Sequence, residues 1–463
     1  MKILPLLFAF LSAPAAFAAA PVPAEPFGDE MVLQREAKVP VFGKADPGGK
    51  VTVAFAGQTK ETVADKDGAW RVELDPMPAS ADNRVMTLAC GPDKAEIKNV
   101  LVGEVWICSG QSNMEFTVAK SLMAKAAAHT ADPGLRLRSI AKITAGAPQN
   151  AVKGTPWLRA DAQSIAAFSA VGYAFGGRLR TDLKVPVGLV NASWGGTRIE
   201  AWTPAGAQPQ VPSPASGAAQ QKPAVLYNGM IHPWAGYAIR GAIWYQGEAN
   251  CFQGDGAKYT DRMQAMVSGW RQAFGRGDFA FYFVQLAPFN YGGDKKRKVA
   301  ADALPVFWAA QARAAAEIKN AGMAHTQDVG NWGNIHPADK LPVGERLARL
   351  ALSRTYGKAS FKDDAGPVFK AMTVNGGEAK ITFDHAQSGL AARDGKPPAG
   401  FEVAGADGRF VDAAAKIDGA AVVVSSPQVA EIARVRFGWQ TGQDTNLFNG
   451  EKLPACAFSA KAP

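Results

Sequence analysis

A short apolar run that ends in a small-residue turn places the strongest limit on how this chain can fold. Val105-Trp106-Ile107-Cys108 is typical of a buried strand, and Gly110-Gln111-Ser112-Asn113 follows it almost directly. A turn at the carboxyl end of a buried strand can lift a serine hydroxyl into a cleft. A lone serine in such a turn more often caps the following helix, so Ser112 is a candidate nucleophile that needs support from elsewhere.

Three later segments place polar residues in the same way. Asn191-Ala192-Ser193-Trp194-Gly195-Gly196-Thr197 follows an apolar run at 187–190, and its paired glycines leave backbone N–H groups uncovered. Trp244-Tyr245-Gln246-Gly247-Glu248-Ala249-Asn250 puts side-chain amides at the end of a third predicted strand, and Asn334-Ile335-His336-Pro337 precedes a helix-like run. A serine, exposed amide donors and a histidine are the parts that an acyl-transfer enzyme needs.

These segments resemble a known family. GEVWICSGQSNMEF, NASWGGTRIEAW, YNGMIHPWAGYAIRGAIWYQGEAN and GNIHPADK are similar to the four characteristic blocks of the SGNH hydrolases, in the version carried by the sialate O-acetylesterase family. The resemblance extends from about Pro26 to at least Leu352, with the motifs in the family's order. It implies a flavodoxin-like three-layer α/β domain and a serine esterase that removes acetyl groups from sugars.

The resemblance also implies roles for individual residues. His336 is expected to take the proton of the Ser112 hydroxyl as the oxygen attacks an ester carbonyl. The expected oxyanion donors are the backbone N–H groups of Ser112 and of Gly195 or Gly196, and the side-chain amide of Asn250. No metal and no organic cofactor are expected.

Substrate-binding residues are expected at Gln111, Arg198 and Gln246. Arg198 stands where members of the family often have proline, beside the glycine pair. Two interpretations stay open for it: contact with a substrate carboxylate, or a structural ion pair, for instance with Glu200.

One departure from the family concerns the third catalytic residue. SGNH enzymes commonly place an aspartate three residues before the histidine to hold its other ring nitrogen, and members of this family often read Asp-Ile-His-Pro. Here the positions are Gly333 and Asn334. Asn334 can orient the ring through its carbonyl oxygen but carries no charge to stabilise an imidazolium. The substitutes that remain open are Asp328, a main-chain carbonyl, or a Ser-His dyad.

Alternating patterns predict the organisation of the chain. Short alternating runs with turn signals at 21–100 predict an antiparallel, immunoglobulin-like β-sandwich. Apolar strands that alternate with helical patterns at 101–356 predict a parallel sheet covered by helices on both faces, which is the expected hydrolase domain. Strand-like runs return at 360–463 and predict a C-terminal β domain, and the sequence leaves open whether it packs with the N-terminal one. The Pro-rich segment 204–223 is either a rim of the cleft or a plain surface connection.

The ends of the chain and its charge limit its location and its partners. Residues 1–18 combine a lysine, an apolar segment and Ala16-Phe17-Ala18, which predicts a cleaved signal sequence and a secreted or periplasmic enzyme. Of the 50 basic and 41 acidic residues only Lys2 falls in that segment, so the mature chain carries a formal charge of +8. No membrane span is expected in the mature chain. Four cysteines allow one or two disulfides whose pairing the sequence does not decide.

The basic run Asp294-Lys295-Lys296-Arg297-Lys298 is either a solvated loop or a patch that attracts an anionic glycan. It lacks the interleaved aromatic residues needed to stack on bases, so no nucleic-acid partner is expected. The expected partner is an acetylated sugar or glycan. The oligomeric state is left undetermined.

The leading function is therefore a carbohydrate O-acetylesterase, with acetylated sialic acid as the substrate that the family name implies. An acetylesterase that acts on hemicellulose such as xylan or xyloglucan would share the same catalytic residues. A glycan-binding protein that has lost catalysis is an alternative suggested by the missing acid. A peptidase or lipase is disfavoured because the chain has no GxSxG elbow and no apolar lid.

Overall fold

The computed structural model describes residues 20–208, 218–293, 297, 299–358 and 360–462. The predicted signal sequence at 1–18 lies outside these ranges. So do the middle of the Pro-rich segment, at 209–217, and the basic run 294–298 with the exception of Arg297.

The N-terminal region consists of strands. They are β1 Val22–Pro23, β2 Val32–Gln34, β3 Val39–Lys44, β4 Lys50–Phe55, β5 Gln58–Val63, β6 Ala69–Leu74, β7 Ser80–Cys90 and β8 Asp93–Gly110. β1, β3 and β6 form a small antiparallel sheet, while β5, β4, β7 and β8 pair in that order and β2 pairs in parallel with β8. The buried residues of both sheets belong to one core. The predicted boundary at residue 100 falls inside β8.

The second half of β8 lies at the centre of a parallel sheet. The other strands of this part are β9 Asp132–Ser139, β10 Leu158–Ala160, β11 Val187–Ser193, β12 Gly241–Tyr245, β13 Ala280–Val284 and β14 Ala321–Ala324. Their order is β10-β9-β11-β8-β12-β13-β14, and every pair except the edge pair β10–β9 is parallel. Because β8 serves both regions, all eleven connected strands form one large mixed sheet.

Helices cover both faces of the parallel part. They are α1 Ser112–Glu115, α2 Ala124–Ala127, α3 Ala162–Ala167, α4 Ala170–Leu183, α5 Ile199–Trp202, α6 Glu248–Cys251, α7 Tyr259–Phe274, α8 Ala303–Glu317 and α9 Leu341–Leu350. Val105 and Ile107 of β8 share a core with α7 and α8, whereas Trp106 and Cys108 share a core with α4 and α9. Successive side chains of a strand point to opposite faces, so β8 is apolar on both.

The C-terminal region forms separate antiparallel sheets. Its strands are β15 Val368–Asn375, β16 Glu378–Asp384, β17 Leu390–Ala392, β18 Phe401–Ala404, β19 Val411–Asp412, β20 Ala414–Asp418, β21 Ala421–Ser425, β22 Arg434–Phe437, β23 Leu447–Asn449 and β24 Phe458–Lys461. They pair as β15-β16-β21-β20, β17-β23 and β19-β18-β22-β24 over a core of their own.

The predicted α/β class is confirmed, with a large mixed sheet and additional antiparallel sheets. The sequence left open whether the four cysteines form disulfides, and in the structure Cys90, Cys108, Cys251 and Cys456 are all unpaired and buried. No helix in the ranges given above is long and apolar enough to cross a bilayer.

Candidate active site

Ser112 is held at the carboxyl end of β8 by close contact with the end of β12. Gly110 has φ 139°, and a Cβ there would clash with the Tyr245 carbonyl oxygen. That oxygen accepts the Gln111 backbone N–H at 2.9 Å, and α1 starts at the next residue. Only glycine fits this turn, because the φ is positive and the neighbouring backbone is so close. The serine thus stands on a rigid strand end.

His336 lies opposite Ser112. Its Nε2 is 2.8 Å from the Ser112 hydroxyl oxygen, although 224 residues separate the two in the chain. With the ring neutral and its proton on Nδ1, Nε2 accepts the serine hydroxyl proton. This is the geometry that a general base needs to generate a nucleophilic alkoxide.

No carboxylate of the described residues bonds the other ring nitrogen of His336. Asn334 accepts the backbone N–H of His336 through Oδ1 at 2.9 Å, so it orients the loop and not the ring. Asp328 forms a bidentate ion pair with Arg346 of α9, with both N–O distances at 2.7 Å. Among the residues that the structure describes, none accepts a hydrogen bond from His336 Nδ1. The two candidates for the acid position therefore have other partners.

The charges around His336 shift its pKa in opposite directions. Partial burial lowers the pKa of His336 below its ordinary value, and the nearby Lys340 lowers it further, with a smaller contribution from Lys120. Glu115 raises it. The resting histidine is therefore neutral near pH 7, the form that accepts a proton.

Glu115 is the acidic residue on the serine side of the site. Its Oε2 accepts the Gly195 backbone N–H at 2.6 Å, and its Oε1 pairs with Lys142 at 2.5 Å. The Lys142 ammonium in turn lies 5.9 Å from the centre of the Trp194 ring. Gly195 is close to the nucleophile, since a Cβ there would be 3.2 Å from the Ser112 Cβ.

The backbone donors predicted for the oxyanion differ in availability. Ser112 is the first residue of α1, so its N–H has no acceptor within the helix. Gly196 is exposed and has φ 74°. The Gly195 N–H, in contrast, is already bonded to Glu115. Ser112 and Gly196 are thus the free donors in this arrangement, and Gly195 becomes one only when the Glu115 carboxylate moves.

The amide of Asn250 lies in a buried network. Its Nδ2 donates to Glu200 Oε2 at 3.0 Å, and its Oδ1 accepts from Gln246 at 2.8 Å and from the Ile199 backbone at 3.1 Å. Glu200 is also paired with Arg262. Asn250 is completely buried, so in this arrangement its N–H groups face protein acceptors.

Gln111 and Gln246 occupy the same interior. The Gln111 Oε1 accepts from the Gln246 side chain at 3.2 Å and from the backbone N–H groups of Gly247 and Ala249 at 3.4 and 3.2 Å. Gln246 also binds the hydroxyl of Tyr259 at 2.8 Å. Both glutamines are buried and bonded to protein, which argues for support of the site instead of the substrate contact predicted for them.

Arg198 is buried as well. Its Nε and its backbone N–H lie 3.4 and 3.2 Å from Gln221 Oε1, and Gln221 also donates to the Gly196 carbonyl. The suggested pair with Glu200 is replaced by the pair of Glu200 with Arg262. Gln221 belongs to the Pro-rich segment 204–223, so the described end of that segment packs against the glycine pair.

Asn113, Glu248 and Lys340 form a second buried network that the sequence did not assign. Asn113 donates to Glu248 Oε1 at 2.5 Å and to the Ile335 carbonyl at 3.0 Å, and its Oδ1 accepts from Lys340 Nζ at 2.5 Å. All three side chains that form it are at most 2% exposed. The only signal in the sequence was their position inside the four blocks.

Two half-buried tryptophans lie in the chain segments that carry the site. Trp194 precedes the glycine pair, and Trp332 lies four residues before His336. The Trp332 indole N–H donates to Asp444 of the C-terminal region at 3.3 Å. Within the described ranges no cluster of three metal-ligating side chains occurs.

Comparison with known proteins gives a consistent result. The family model described as "Carbohydrate esterase, sialic acid-specific acetylesterase" matches residues 102–353. Human sialate O-acetylesterase is 32% identical over 373 residues, which cover 71% of this chain and 70% of the human protein. The mouse sialate O-acetylesterase is 30% identical over 431 residues, with 76% and 77% of the two chains covered.

A solved structure extends the similarity to nearly the whole chain. The crystal structure described as a novel carbohydrate acetylesterase from Xanthomonas citri superposes with a TM-score of 0.88 at 36% sequence identity. The match covers 96% of this chain and 100% of that one, so it includes the β regions on both sides of the parallel sheet.

Proposed function

The chain belongs to the carbohydrate esterase family of sialic acid-specific acetylesterases and is a carbohydrate O-acetylesterase, and we propose that Ser112 and His336 carry out its reaction. The observation that supports this most strongly is the 2.8 Å contact between the Ser112 hydroxyl and His336 Nε2. The position of Ser112 at the end of a buried parallel strand adds to it.

In the proposed acylation step, His336 removes the Ser112 hydroxyl proton as the oxygen attacks the acetyl carbonyl. A bond forms between Ser112 Oγ and the carbonyl carbon, and the carbonyl oxygen becomes an oxyanion. The backbone N–H groups of Ser112 and Gly196 are the donors that can receive it. Each such donor is typically worth about 3 kcal/mol of the barrier.

Collapse of this intermediate breaks the bond to the sugar oxygen. The histidinium gives its proton to that oxygen, so the sugar leaves as an alcohol and Ser112 carries the acetyl group. Water, deprotonated by His336, then attacks the acetyl-serine and releases acetate. Because no carboxylate in the described part of the chain bonds Nδ1, we propose that the pair acts as a dyad whose imidazolium is stabilised electrostatically by Glu115.

Acetylated sialic acid is the first candidate substrate because the matching family and its curated relatives carry that name. A sialic acid carries a carboxylate, for which a cation at the cleft would be favourable. Lys142 is an exposed cation on the serine side, 2.5 Å from Glu115.

An acetylated neutral polymer such as a hemicellulose is the second candidate. Arg198, for which contact with a substrate carboxylate was one of the two interpretations, is buried. Trp194 directly precedes Gly195 and Trp332 lies four residues before His336, and aromatic faces of this kind would suit the apolar faces of neutral sugar rings.

Three further features are proposed with this function. Residues 1–18 act as a cleaved signal sequence, which makes the mature enzyme secreted or periplasmic. The parallel part of the sheet with its helices is an SGNH-type hydrolase domain at about 101–356. The β regions at 21–100 and 360–463 are its flanking domains.

Acetate release from a chromogenic acetate ester tests the catalytic pair. Ser112→Ala and His336→Ala are each expected to lower kcat by on the order of a thousandfold or more. Ser193→Ala and His232→Ala serve as matched controls, since Ser193 also ends a parallel strand but binds Asn191, and His232 binds the Gln149 carbonyl. Full activity in the Ser112→Ala variant would reject the proposal.

A panel of acetylated sugars tests the substrate. The value of kcat/KM is compared between O-acetylated sialic acid and acetylated xylan or xyloglucan. A clear preference for sialic acid that Lys142→Met removes supports the first candidate. A preference for the neutral polymer that Trp332→Ala or Trp194→Ala removes supports the second.

A further inference from the structure

A buried lysine lies beside the Ser-His pair without a role in the proposed reaction. Lys340 is 1% exposed and directly precedes α9. Its ammonium lies 5.1 Å from the centre of the Phe116 ring and 5.4 Å from that of Tyr245. The hydrogen bond to Asn113 Oδ1, at 2.5 Å, is its contact with the serine segment.

This position is unfavourable for a cation in two ways. Burial strips the ammonium of water, and the start of a helix carries the positive end of the helix dipole. Glu248 compensates from a distance, since the two charged groups bind opposite ends of the same Asn113 amide. Buried charges kept at such a cost cluster at functional sites.

Asn113 joins the two catalytic segments. It is the residue after Ser112, and its second N–H donates to the carbonyl of Ile335, the residue before His336. An amide held between a carboxylate and an ammonium can adopt only one orientation, because its nitrogen must face the anion and its oxygen the cation. Lys340 therefore fixes the amide that ties the histidine segment to α1.

We propose that Lys340 is a positioning residue for catalysis, which acts through Asn113 to hold His336 in line with Ser112. This inference rests on the proposed Ser112–His336 mechanism. The hydrogen bonds from Lys340 to Asn113 and from Asn113 to the Ile335 carbonyl would hold the His336 segment, for which no described carboxylate bonds Nδ1. An error of about 1 Å in the position of a base can cost on the order of a hundredfold in rate.

The charge of Lys340 adds a second effect. Burial lowers the pKa of Lys340 to about 7, against the opposing charges of Glu248 and Asp339. Burial also raises the pKa of Glu248, while Asn113 and Lys340 lower it. Lys340 in turn disfavours the protonated form of His336, whereas Glu115 favours it. Removing the lysine should therefore move the acid limb of the pH profile to higher pH.

The test compares Lys340→Met with Lys120→Met in the full chain. Lys120 is exposed and also lowers the pKa of His336, but it has no bond to the serine segment. For Lys340→Met we expect kcat for the chromogenic ester to fall by at least about tenfold with little change in KM. We expect the acid limb to move up, and labelling of Ser112 by a serine-directed phosphonate to slow. Lys120→Met should keep kcat.

A fold control accompanies these measurements. Lys340→Met leaves Glu248 buried without a counter-charge, so Lys340→Met/Glu248→Gln removes both charges and protects folding. This double variant should melt cooperatively and still show the loss in kcat. A folded variant with the kcat and pH profile of Lys120→Met would overturn the proposal, as would a lower melting temperature without a change in kcat.

The outcomes separate this inference from the proposed function. If Ser112→Ala and His336→Ala keep activity, the catalytic pair itself is wrong. If they lose activity while folded Lys340→Met does not, the catalytic pair stands and only the positioning role of Lys340 is wrong.

Discussion

The serine side and the histidine side of this site are built differently. On the serine side, the polar side chains of Gln111, Gln246 and Asn250 are at most 3% exposed and bind one another. On the histidine side, Asn331, Gly333 and Asn334 are exposed, and the segment follows a short edge strand.

The two sides therefore fix their catalytic groups by different means. Ser112 is held at the end of the parallel sheet, where backbone hydrogen bonds and buried side-chain amides restrict the serine to one position. His336 is fixed from its flanks by the Asn334 side chain on its backbone N–H and by Asn113 on the Ile335 carbonyl. Among the described residues, the base is thus positioned through the backbone of its own segment and not by a carboxylate on its ring.

The largest effect that distinguishes the two sides is expected for Gln111→Ala. The variant removes the acceptor of the buried Gly247 N–H and of the partly buried Ala249 N–H, which costs roughly 2–3 kcal/mol of unfolding free energy. Because Ser112 is the next residue, kcat should fall by at least about tenfold. Urea unfolding and acetate release measure the two effects. A stable and fully active variant would mean that the buried amides do not hold the serine.

The pH profile gives the next largest effect. His336 must be neutral to accept the serine proton, and partial burial, followed by the charge of Lys340, lowers its pKa. Activity should therefore persist below the ordinary histidine value of about 6.5 and then fall roughly tenfold per pH unit. The measurement is kcat/KM between pH 4 and 9. An acid limb at or above pH 7 would contradict the assigned electrostatics.

Asn334→Ala should have a smaller effect. It removes one hydrogen bond to the His336 backbone at an exposed position, which is typically worth about 1 kcal/mol. We expect a few-fold lower kcat and an unchanged acid limb of the pH profile. If the variant instead loses activity as completely as His336→Ala, Asn334 acts directly on the imidazole.

Asp328→Asn should have the smallest effect on catalysis. The substitution weakens the bidentate pair with Arg346. The free energy of unfolding should fall by roughly 2 kcal/mol, and the melting temperature should fall with it. The value of kcat should stay within about twofold of the wild-type value, because Asp328 does not contact His336. A large loss of kcat in a folded variant would restore Asp328 as the catalytic acid.

The sequence predicted the fold where hydrophobic patterns are strongest. The second half of β8, together with β11 and β12, is buried on both faces, which is typical of parallel strands between two helix layers. The sequence could not show that β8 is one 18-residue strand shared with the N-terminal sheet. The polar first half of β8 and its apolar second half have the patterns of two separate strands. The local pattern does not show where a strand ends, because that depends on the strands with which it pairs.

The site was predictable as a set of segments but not as a set of contacts. Ser112 and His336 were found because their blocks resemble a family, and the structure brings them together. The engagement of Gly195 by Glu115, and of Asp328 by Arg346, depends on residues far apart in the chain. The bond between Asn113 and Lys340 was not predicted, because no sequence motif indicates that an amide and a lysine are buried and hydrogen-bonded to each other.

Mass spectrometry of the enzyme treated with a serine-directed phosphonate shows which residue is the nucleophile. We expect one adduct per chain on the peptide that contains Ser112, none in Ser112→Ala, and strongly slowed labelling in His336→Ala. An adduct on another residue, or labelling of Ser112 at an unchanged rate without His336, would contradict a Ser-His pair as the catalytic centre.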